Sequence, residues 1–300
     1  MCGKRLVECQ LTSASLRPRP WIVTFNPFLN PRGKPRNGWW VALFFVILTA
    51  LLFPLILMSR ASETGVPLWQ QAAIVLAASL ICQALRRRPI AELLGAFDWK
   101  WLSQLAIGLA LGAALMALPA AFLAAGSWVT WRVNADWIDA IGATLLTLAA
   151  ASAAEELLFR GFLFQRLIDG LGAWPAQLLI AALFTLTHSD ALAEIGPLAY
   201  LAGANIFVAS ILFGLAYLRT RSLALPIGLH FAANVMQGPI LGFGVSGNDA
   251  AGLLTATPQD VPVWLTGGAF GLEASVPGFV CVLVMTSALW LWRPKRTETD

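Results

Sequence analysis

Eight apolar stretches alternate with polar segments along most of this 300-residue chain. A helix needs about 20 apolar residues to cross a bilayer, and the stretches are close to that length. Their apolar residues run continuously, without the alternation that a membrane β-barrel strand shows. The pattern therefore predicts eight membrane-spanning helices. They cover residues 39–58, 68–85, 102–125, 137–164, 173–191, 200–218, 223–238 and 276–292.

Basic residues predict how these helices are oriented. Seventeen of the 20 Lys and Arg residues lie before the first helix, in the second, fourth and sixth connections, or after the last helix, and Arg160 lies in the fourth helix close to the fourth connection. Only Arg60 and Arg132 lie in other connections. Because cytoplasmic segments of membrane proteins are enriched in Lys and Arg, this distribution predicts that both termini are cytoplasmic.

Composition excludes several classes of protein. Hydrophobic residues make up 58% of the chain and charged residues 12%, whereas a soluble domain has about half and about a quarter. A soluble enzyme, a disordered chain and a disulfide scaffold are therefore excluded. The net charge of +4 follows from the membrane topology, so no nucleic-acid partner is expected. We predict an all-α polytopic membrane protein, a bundle of about eight transmembrane helices with both termini cytoplasmic, in the inner membrane of a bacterium.

The predicted organisation is one membrane domain between two tails. Residues 1–38 form a basic cytoplasmic N-terminal tail, residues 39–292 the helical domain, and residues 293–300 a cytoplasmic C-terminal tail. The external segment 239–275 contains no Lys or Arg, and its sequence is compatible with a lid, a re-entrant segment or a surface loop. Its residue Glu273 is expected to be solvated.

Six ionisable or amide side chains interrupt the apolar helices of the second half. Such groups are costly in hydrocarbon, so their presence there points to a function. Counted at about 1.5 Å per residue, they fall between the cytoplasmic boundary and the bilayer midplane, in one predicted pocket toward the cytoplasmic half. They are Glu155, Glu156 and Arg160 in the fourth helix, His188 in the fifth, and His230 and Asn234 in the seventh. Asn205, in the sixth helix, is expected only to bond a neighbouring helix.

The residue types in this pocket suit the hydrolysis of an amide bond. A carboxylate can act as a general base toward water, and an imidazole beside it can orient that water or pass on its proton. A second imidazole and a carboxamide can donate hydrogen bonds to the oxyanion that forms on the attacked carbonyl.

A divalent metal such as Zn is the other way to activate water in this pocket. Glu155, His188 and His230 match the three protein ligands of a catalytic zinc site with an open position. The HExxH signature, which places both histidines on one helix, is missing from the sequence. Water activation with a metal and without one therefore both remain open.

Three motifs in successive helices resemble a known family. Glu155-Glu156-x-x-x-Arg160, Phe184-x-x-x-His188 and His230-x-x-x-Asn234 are similar to those of the CPBP (CAAX protease and bacteriocin-processing, also called Abi) family of intramembrane proteases. The resemblance covers a core at about residues 137–240. It implies a helical bundle that cleaves peptides within the membrane, in some members beside a prenylated cysteine.

The resemblance also implies roles for individual residues. Glu155 would activate the water and His188 would assist it, while His230 and Asn234 would stabilise the oxyanion. Glu156, Arg160 and Phe184 would support the pocket. The expected partners are the lipid bilayer and a membrane-associated peptide or lipidated protein.

Two other functions remain open from the sequence. Membrane-buried Glu and His also build the proton relays of transporters, although no inverted repeat of the kind that many transporters carry is visible here. A non-catalytic membrane protein that acts in immunity or as a chaperone would have the same motifs, because intact motifs do not prove turnover.

Overall fold

A computed structural model describes residues 26–61, 65–248 and 252–292. The chain divides into two units, residues 1–36 and residues 37–300. In the first unit, a tight turn is held by the Asn30 side chain, which accepts hydrogen bonds from two backbone N–H groups, and by a bridge between Leu29 and Pro35. The predicted C-terminal tail and residues 1–25 lie outside the described residues.

The second unit is all-α apart from one two-stranded antiparallel sheet, in which β1 (Val129–Val133) pairs with β2 (Leu254–Pro258). Its helices are α1 (Asn37–Ala61), α2 (Leu68–Leu85), α3 (Ala91–Leu94), α4 (Trp99–Ala125), α5 (Trp137–Arg160), α6 (Phe162–Leu171), α7 (Ala173–Leu186), α8 (Ser189–Ala193), α9 (Leu198–Thr220), α10 (Ala224–Val235), α11 (Val263–Thr266) and α12 (Val276–Leu291).

The predicted all-α membrane fold is confirmed. Among the described residues, five helical stretches are long and apolar enough to cross a membrane: Asn37–Ala61, Leu68–Leu85, Ala91–Ala125, Ile141–Leu171 and Leu198–Thr220. Helices α7 and α12 are also apolar but shorter. The number of eight spans and the side on which the termini lie stay predictions.

The predicted fourth helix breaks before its expected end. Helix α5 stops at Arg160, because Gly161 leaves helical geometry with φ −76° and ψ −130°. A Cβ atom at position 161 would lie 2.2 Å from the carbonyl oxygen of Leu157, so a larger residue does not fit this bend. The chain then restarts as α6, and the ion pair of Arg160 lies at the very end of α5.

The predicted fifth helix also ends early, which places His188 in a turn. Helix α7 stops at Leu186, and His188 lies between α7 and α8. The Thr187 hydroxyl donates to the Phe184 carbonyl oxygen at 2.7 Å, and the His188 backbone N–H bonds Thr185 instead of Phe184. Side chains that bond nearby backbone groups compete with the helix in this way.

Helix α10, which carries His230, packs backbone to backbone against α4. A Cβ atom at Gly108 would lie 2.4 Å from the Leu225 carbonyl oxygen, and one at Gly112 would lie 2.1 Å from that of Leu229. On the α10 side, a Cβ at Gly228 would meet the Leu105 carbonyl oxygen at 2.5 Å. Small residues allow this close approach of membrane helices.

The external segment 239–275 folds back onto the helices. A π-helical turn, Met236–Ile240, follows α10, and strand β2 joins the segment to β1. Phe270, Leu272 and Ala274 are fully buried. The described part of this segment is therefore packed against the helices and is not a loose surface loop; because the chain returns to the bundle here, we call it the re-entrant segment.

We expect Gly112→Ala to destabilise the protein, because its new Cβ must displace backbone atoms of α10. The cost should be about 1–3 kcal/mol, as for other overpacked positions, measured by thermal unfolding in detergent. The matched control is Gly142→Ala in α5, where a Cβ meets nothing within 4 Å. Equal effects of the two substitutions would contradict the close packing of α4 and α10.

Candidate active site

An ion pair between Glu156 and Arg160 lies in the interior of the bundle. The two residues are four apart on α5, their N–O distance is 3.1 Å, and both side chains are 0% exposed. Arg160 also donates to the carbonyl oxygen and the hydroxyl of Ser210 on α9, at 3.0 and 2.8 Å. The guanidinium lies over the rings of Phe184 and Phe213, 4.9 and 5.2 Å from their centroids. Opposite charge, hydrogen bonds and aromatic faces together compensate for the burial of this cation.

The imidazole of His230 is held between the two neighbouring carboxylates of α5. Its Nδ1 lies 2.9 Å from Glu156 Oε1, and its Nε2 lies 3.8 Å from Glu155 Oε2. The ring of Phe213 stacks on it, with centroids 4.7 Å apart and planes 12° apart. A carboxylate only accepts hydrogen bonds, so Nδ1 carries a proton and Nε2 is turned toward Glu155.

Glu155 differs from Glu156 in its surroundings. Its side chain is 35% exposed, yet its Oε2 atom is buried and has no hydrogen-bond partner among the described residues. The distance of 3.8 Å to His230 is too long for a direct hydrogen bond, and a contact of this length is often bridged by water. Glu155 therefore offers an unused acceptor at the open side of His230.

His188 lies on the opposite wall of the same site. Its Nδ1 is 2.8 Å from the Phe184 carbonyl oxygen, and its ring packs against the ring of Phe184 at 4.9 Å. Because a carbonyl only accepts, Nδ1 is the donor, and the side chain lines both cavities. Within the described part of the chain, His188 makes no ion pair with Glu155. The three groups thus share one cavity, but only His230 is close to Glu155.

The site opens into a cleft of about 710 Å³. Its wall includes all four residues that were predicted to be catalytic. Asn234 is among them because it lies one helical turn beyond His230 on α10. A smaller pocket of about 40 Å³ adjoins it and shares His188, His230 and Asn234. The predicted catalytic residues in these walls are Glu155, His188, His230 and Asn234.

Glu273 belongs to this site, and the expectation that it is solvated is wrong. It is half-buried in the wall of the small pocket. Its Oε2 accepts hydrogen bonds from the backbone N–H and the hydroxyl of Ser246, at 3.0 and 2.8 Å. Asn205 of α9 donates to the Glu273 backbone carbonyl at 2.6 Å, so its partner is a short 3-10 turn, Leu272–Ala274, and not a neighbouring membrane helix. The only hint in the sequence is that Glu273 lies three residues before the last apolar stretch.

The cleft extends toward the connections that are predicted to be external. Its wall reaches Leu68 at the start of α2, Asp190 in α8 and Asn248 in the re-entrant segment. At the other end of α2 lies the basic connection that begins with Arg86, Arg87 and Arg88. The sequence predicted a site toward the cytoplasmic half of the bilayer, whereas the cleft opens away from the basic connections. The side of the membrane to which the cleft opens stays a prediction.

The cavity that holds Glu155, His188 and His230 contains no preformed cluster of metal ligands within the described part of the chain. Among the described residues, no group of three or more His, Cys, Asp or Glu side chains is placed so that it could hold a metal ion. The predicted metal-ligand set of Glu155, His188 and His230 stays a prediction.

Residues 136–236 match a family model described as type II CAAX prenyl endopeptidase Rce1-like. This confirms the predicted resemblance to the CPBP intramembrane proteases over that third of the chain. The matched segment contains Glu155, Glu156, Arg160, His188, His230 and Asn234. At the level of the family, it indicates a peptide hydrolase of the membrane that acts on a membrane-associated peptide. A search of curated proteins finds no match.

We expect Glu156→Gln to destabilise the protein by about 3–5 kcal/mol, because it leaves the Arg160 cation buried without a counter-charge. The double substitution Glu156→Gln/Arg160→Met should recover part of this loss. Thermal unfolding in detergent measures both.

The control for this prediction is the ion pair Arg88–Glu92, which has the same spacing but side chains that are 51% and 40% exposed. Glu92→Gln should change the stability by no more than about 1 kcal/mol. Similar losses for the buried and the exposed pair would contradict the account of the buried one.

Proposed function

We propose that the protein is an intramembrane endopeptidase that hydrolyses a peptide bond of a membrane-associated substrate with a water activated by Glu155. The observation that supports this most is the position of His230. One carboxylate holds its Nδ1, and its Nε2 faces Glu155, whose Oε2 atom has no hydrogen-bond partner among the described residues, at a cleft large enough for a peptide segment.

The first step is the attack of water on the scissile carbonyl. A water between Glu155 Oε2 and the imidazoles gives its proton to the carboxylate while its oxygen bonds to the carbonyl carbon. When both nitrogens of His230 carry protons, Nδ1–H stays on Glu156 and Nε2–H donates to the developing oxyanion. Asn234, on the same face of α10, supplies the second donor from its amide nitrogen.

The second step expels the amine. The proton that Glu155 received moves to the leaving nitrogen, the C–N bond breaks, and the carbonyl reforms. His188 is suited to assist, because its Nδ1 is fixed on the Phe184 carbonyl and the residue lines the cleft. An imidazole so placed can accept a proton and return it.

We expect Glu155→Gln to lower peptide hydrolysis by about 10²–10⁴-fold, the usual contribution of a general base, while the protein stays folded. Purified protein in liposomes would be tested with a library of membrane-anchored peptides, prenylated and unprenylated, read by mass spectrometry. The control is Glu194→Gln, an exposed carboxylate outside both cavities. Unchanged cleavage by folded Glu155→Gln protein would reject the catalytic role.

We further propose that the reaction needs no metal. Activity should survive removal of divalent ions by chelation, and the purified protein should contain far less than one zinc per chain. A stoichiometric zinc content that falls with Glu155→Gln or His230→Gln would overturn this and restore the predicted ligand set.

A further inference from the structure

A second cavity lies at the end of the bundle that carries the basic connections. Its volume is about 580 Å³, and its wall is formed by α3 and its flanking residues, by α6, and by the last turn of α9 with the residue that follows it. It shares no wall residue with the catalytic cleft or with the small pocket. The charged and polar side chains of its wall are Glu92, Gln165, Arg166, Asp169, Tyr217 and Arg221.

The segment around α3 is fixed in place beside this cavity. The side-chain amide of Gln165 in α6 donates a hydrogen bond to the Leu93 carbonyl oxygen at 3.1 Å. Gly95 has φ +89° and packs so closely on Ser222 that a Cβ atom at Gly95 would lie 2.7 Å from the Ser222 hydroxyl oxygen. The cavity is therefore a part of the fold and not a gap beside a loosely attached connection.

Both carboxylates in the wall of this cavity are paired. Asp169 Oδ2 lies 2.8 Å from Nη1 of Arg166, and Glu92 Oε1 lies 3.3 Å from Nη1 of Arg88. Their negative charges are thus compensated within the protein, so they oppose the binding of an anion only weakly.

Two further arginines near the cavity make no ion pair with the described residues. Arg221 lies in the wall and is exposed. Arg86 is close enough to Arg166 for the two charges to interact, and its Nη1 donates only to the neutral amide of Gln83. The cluster therefore has a surplus of positive charge, which attracts anions.

Arg166 has a hydrogen-bond donor that the protein does not use. The residue is 6% exposed and its Nη1 is bound to Asp169, whereas its Nε is buried and has no partner among the described residues. A buried donor without a partner is costly. A guanidinium presents a planar set of donors that matches two oxygens of one phosphate group. A phosphate at this wall would therefore satisfy Nε.

Exposed apolar side chains place the cavity near the surface of the bilayer. Ile90, Phe97 and Trp99 are 51%, 70% and 81% exposed, and each lies within three residues of a wall residue. Aromatic side chains are enriched at the boundary between lipid headgroups and hydrocarbon. The phosphate that fits this cavity is therefore one that belongs to a lipid headgroup.

We propose that this cavity binds the phosphate group of an anionic phospholipid, which is held by Arg166 and Arg221. Basic pockets between membrane helices bind anionic headgroups in this way. The cavity is separate from the catalytic cleft, so this inference does not depend on the proposed function. Free phosphate has the same chemistry, and the experiment distinguishes the two sources.

The test measures lipid binding to the whole protein in detergent by native mass spectrometry. Phosphatidylglycerol, which is anionic, is compared with phosphatidylcholine, which has no net charge, at about 0.15 M salt, where screening limits charge attraction to about 8 Å. We expect phosphatidylglycerol to bind at least about fivefold more tightly, the effect of about one basic residue on an anionic headgroup.

The variant is Arg221→Gln and its matched control is Arg87→Gln. Both arginines are exposed and both have a left-handed backbone, with φ 55° and 53°, but only Arg221 lies in the wall of the cavity. Arg221→Gln should weaken phosphatidylglycerol binding by about fivefold, whereas Arg87→Gln should weaken it by less than about twofold at this salt concentration. Thermal unfolding checks that both variants are folded.

Equal binding of the two lipids, or equal losses in the two variants, would overturn the site. Inorganic phosphate at the same concentration as the lipid should leave phosphatidylglycerol bound. Displacement of the lipid by that concentration of phosphate would show that the ligand is free phosphate, and the lipid assignment would then be wrong.

Discussion

The buried pair of Arg160 and Glu156 is the interaction on which the rest of the site depends. Two charges with no exposed surface are stable in the bundle only if their hydrogen bonds are met by neighbours. Arg160 meets Ser210 of α9, and Glu156 meets His230 of α10. The pair therefore ties three helices together. The imidazole that faces the cleft is fixed by a carboxylate which takes no direct part in the chemistry.

Helix α10 needs the rest of the bundle to hold it in place. At 12 residues it is about 18 Å long, shorter than the hydrocarbon core of a bilayer. The glycines of α4 and α10 let the two backbones meet, and this contact sets the depth of His230. The re-entrant segment then closes the other side of the pocket with Glu273 and Ser246. The glycine contact between α4 and α10 and the re-entrant segment thus bring the three motifs together around one cavity.

The sequence predicted the helical fold and the residues of the motifs because both rest on strong local signals. Long apolar stretches specify helices, and Glu155, His188 and His230 are conspicuous in hydrocarbon. The predicted ends of α5 and α7 are wrong, because Gly161 and the threonines around His188 end these helices through backbone geometry, which the apolar pattern does not show. Glu273, Ser246 and Phe213 join the site through tertiary contacts between distant segments. The hydropathy pattern does not predict such contacts, so from the sequence Glu273 is expected to be an ordinary external carboxylate.

The protonation pattern of His230 tests this account most directly. The chain has only two histidines, so selective ¹⁵N labelling of histidine gives two imidazoles, and a His188→Gln variant assigns them. The account predicts that His230 carries a hydrogen-bonded proton on Nδ1, held by Glu156. A His230 imidazole with an unprotonated Nδ1 would contradict it, because Glu156 could not then orient the ring toward Glu155.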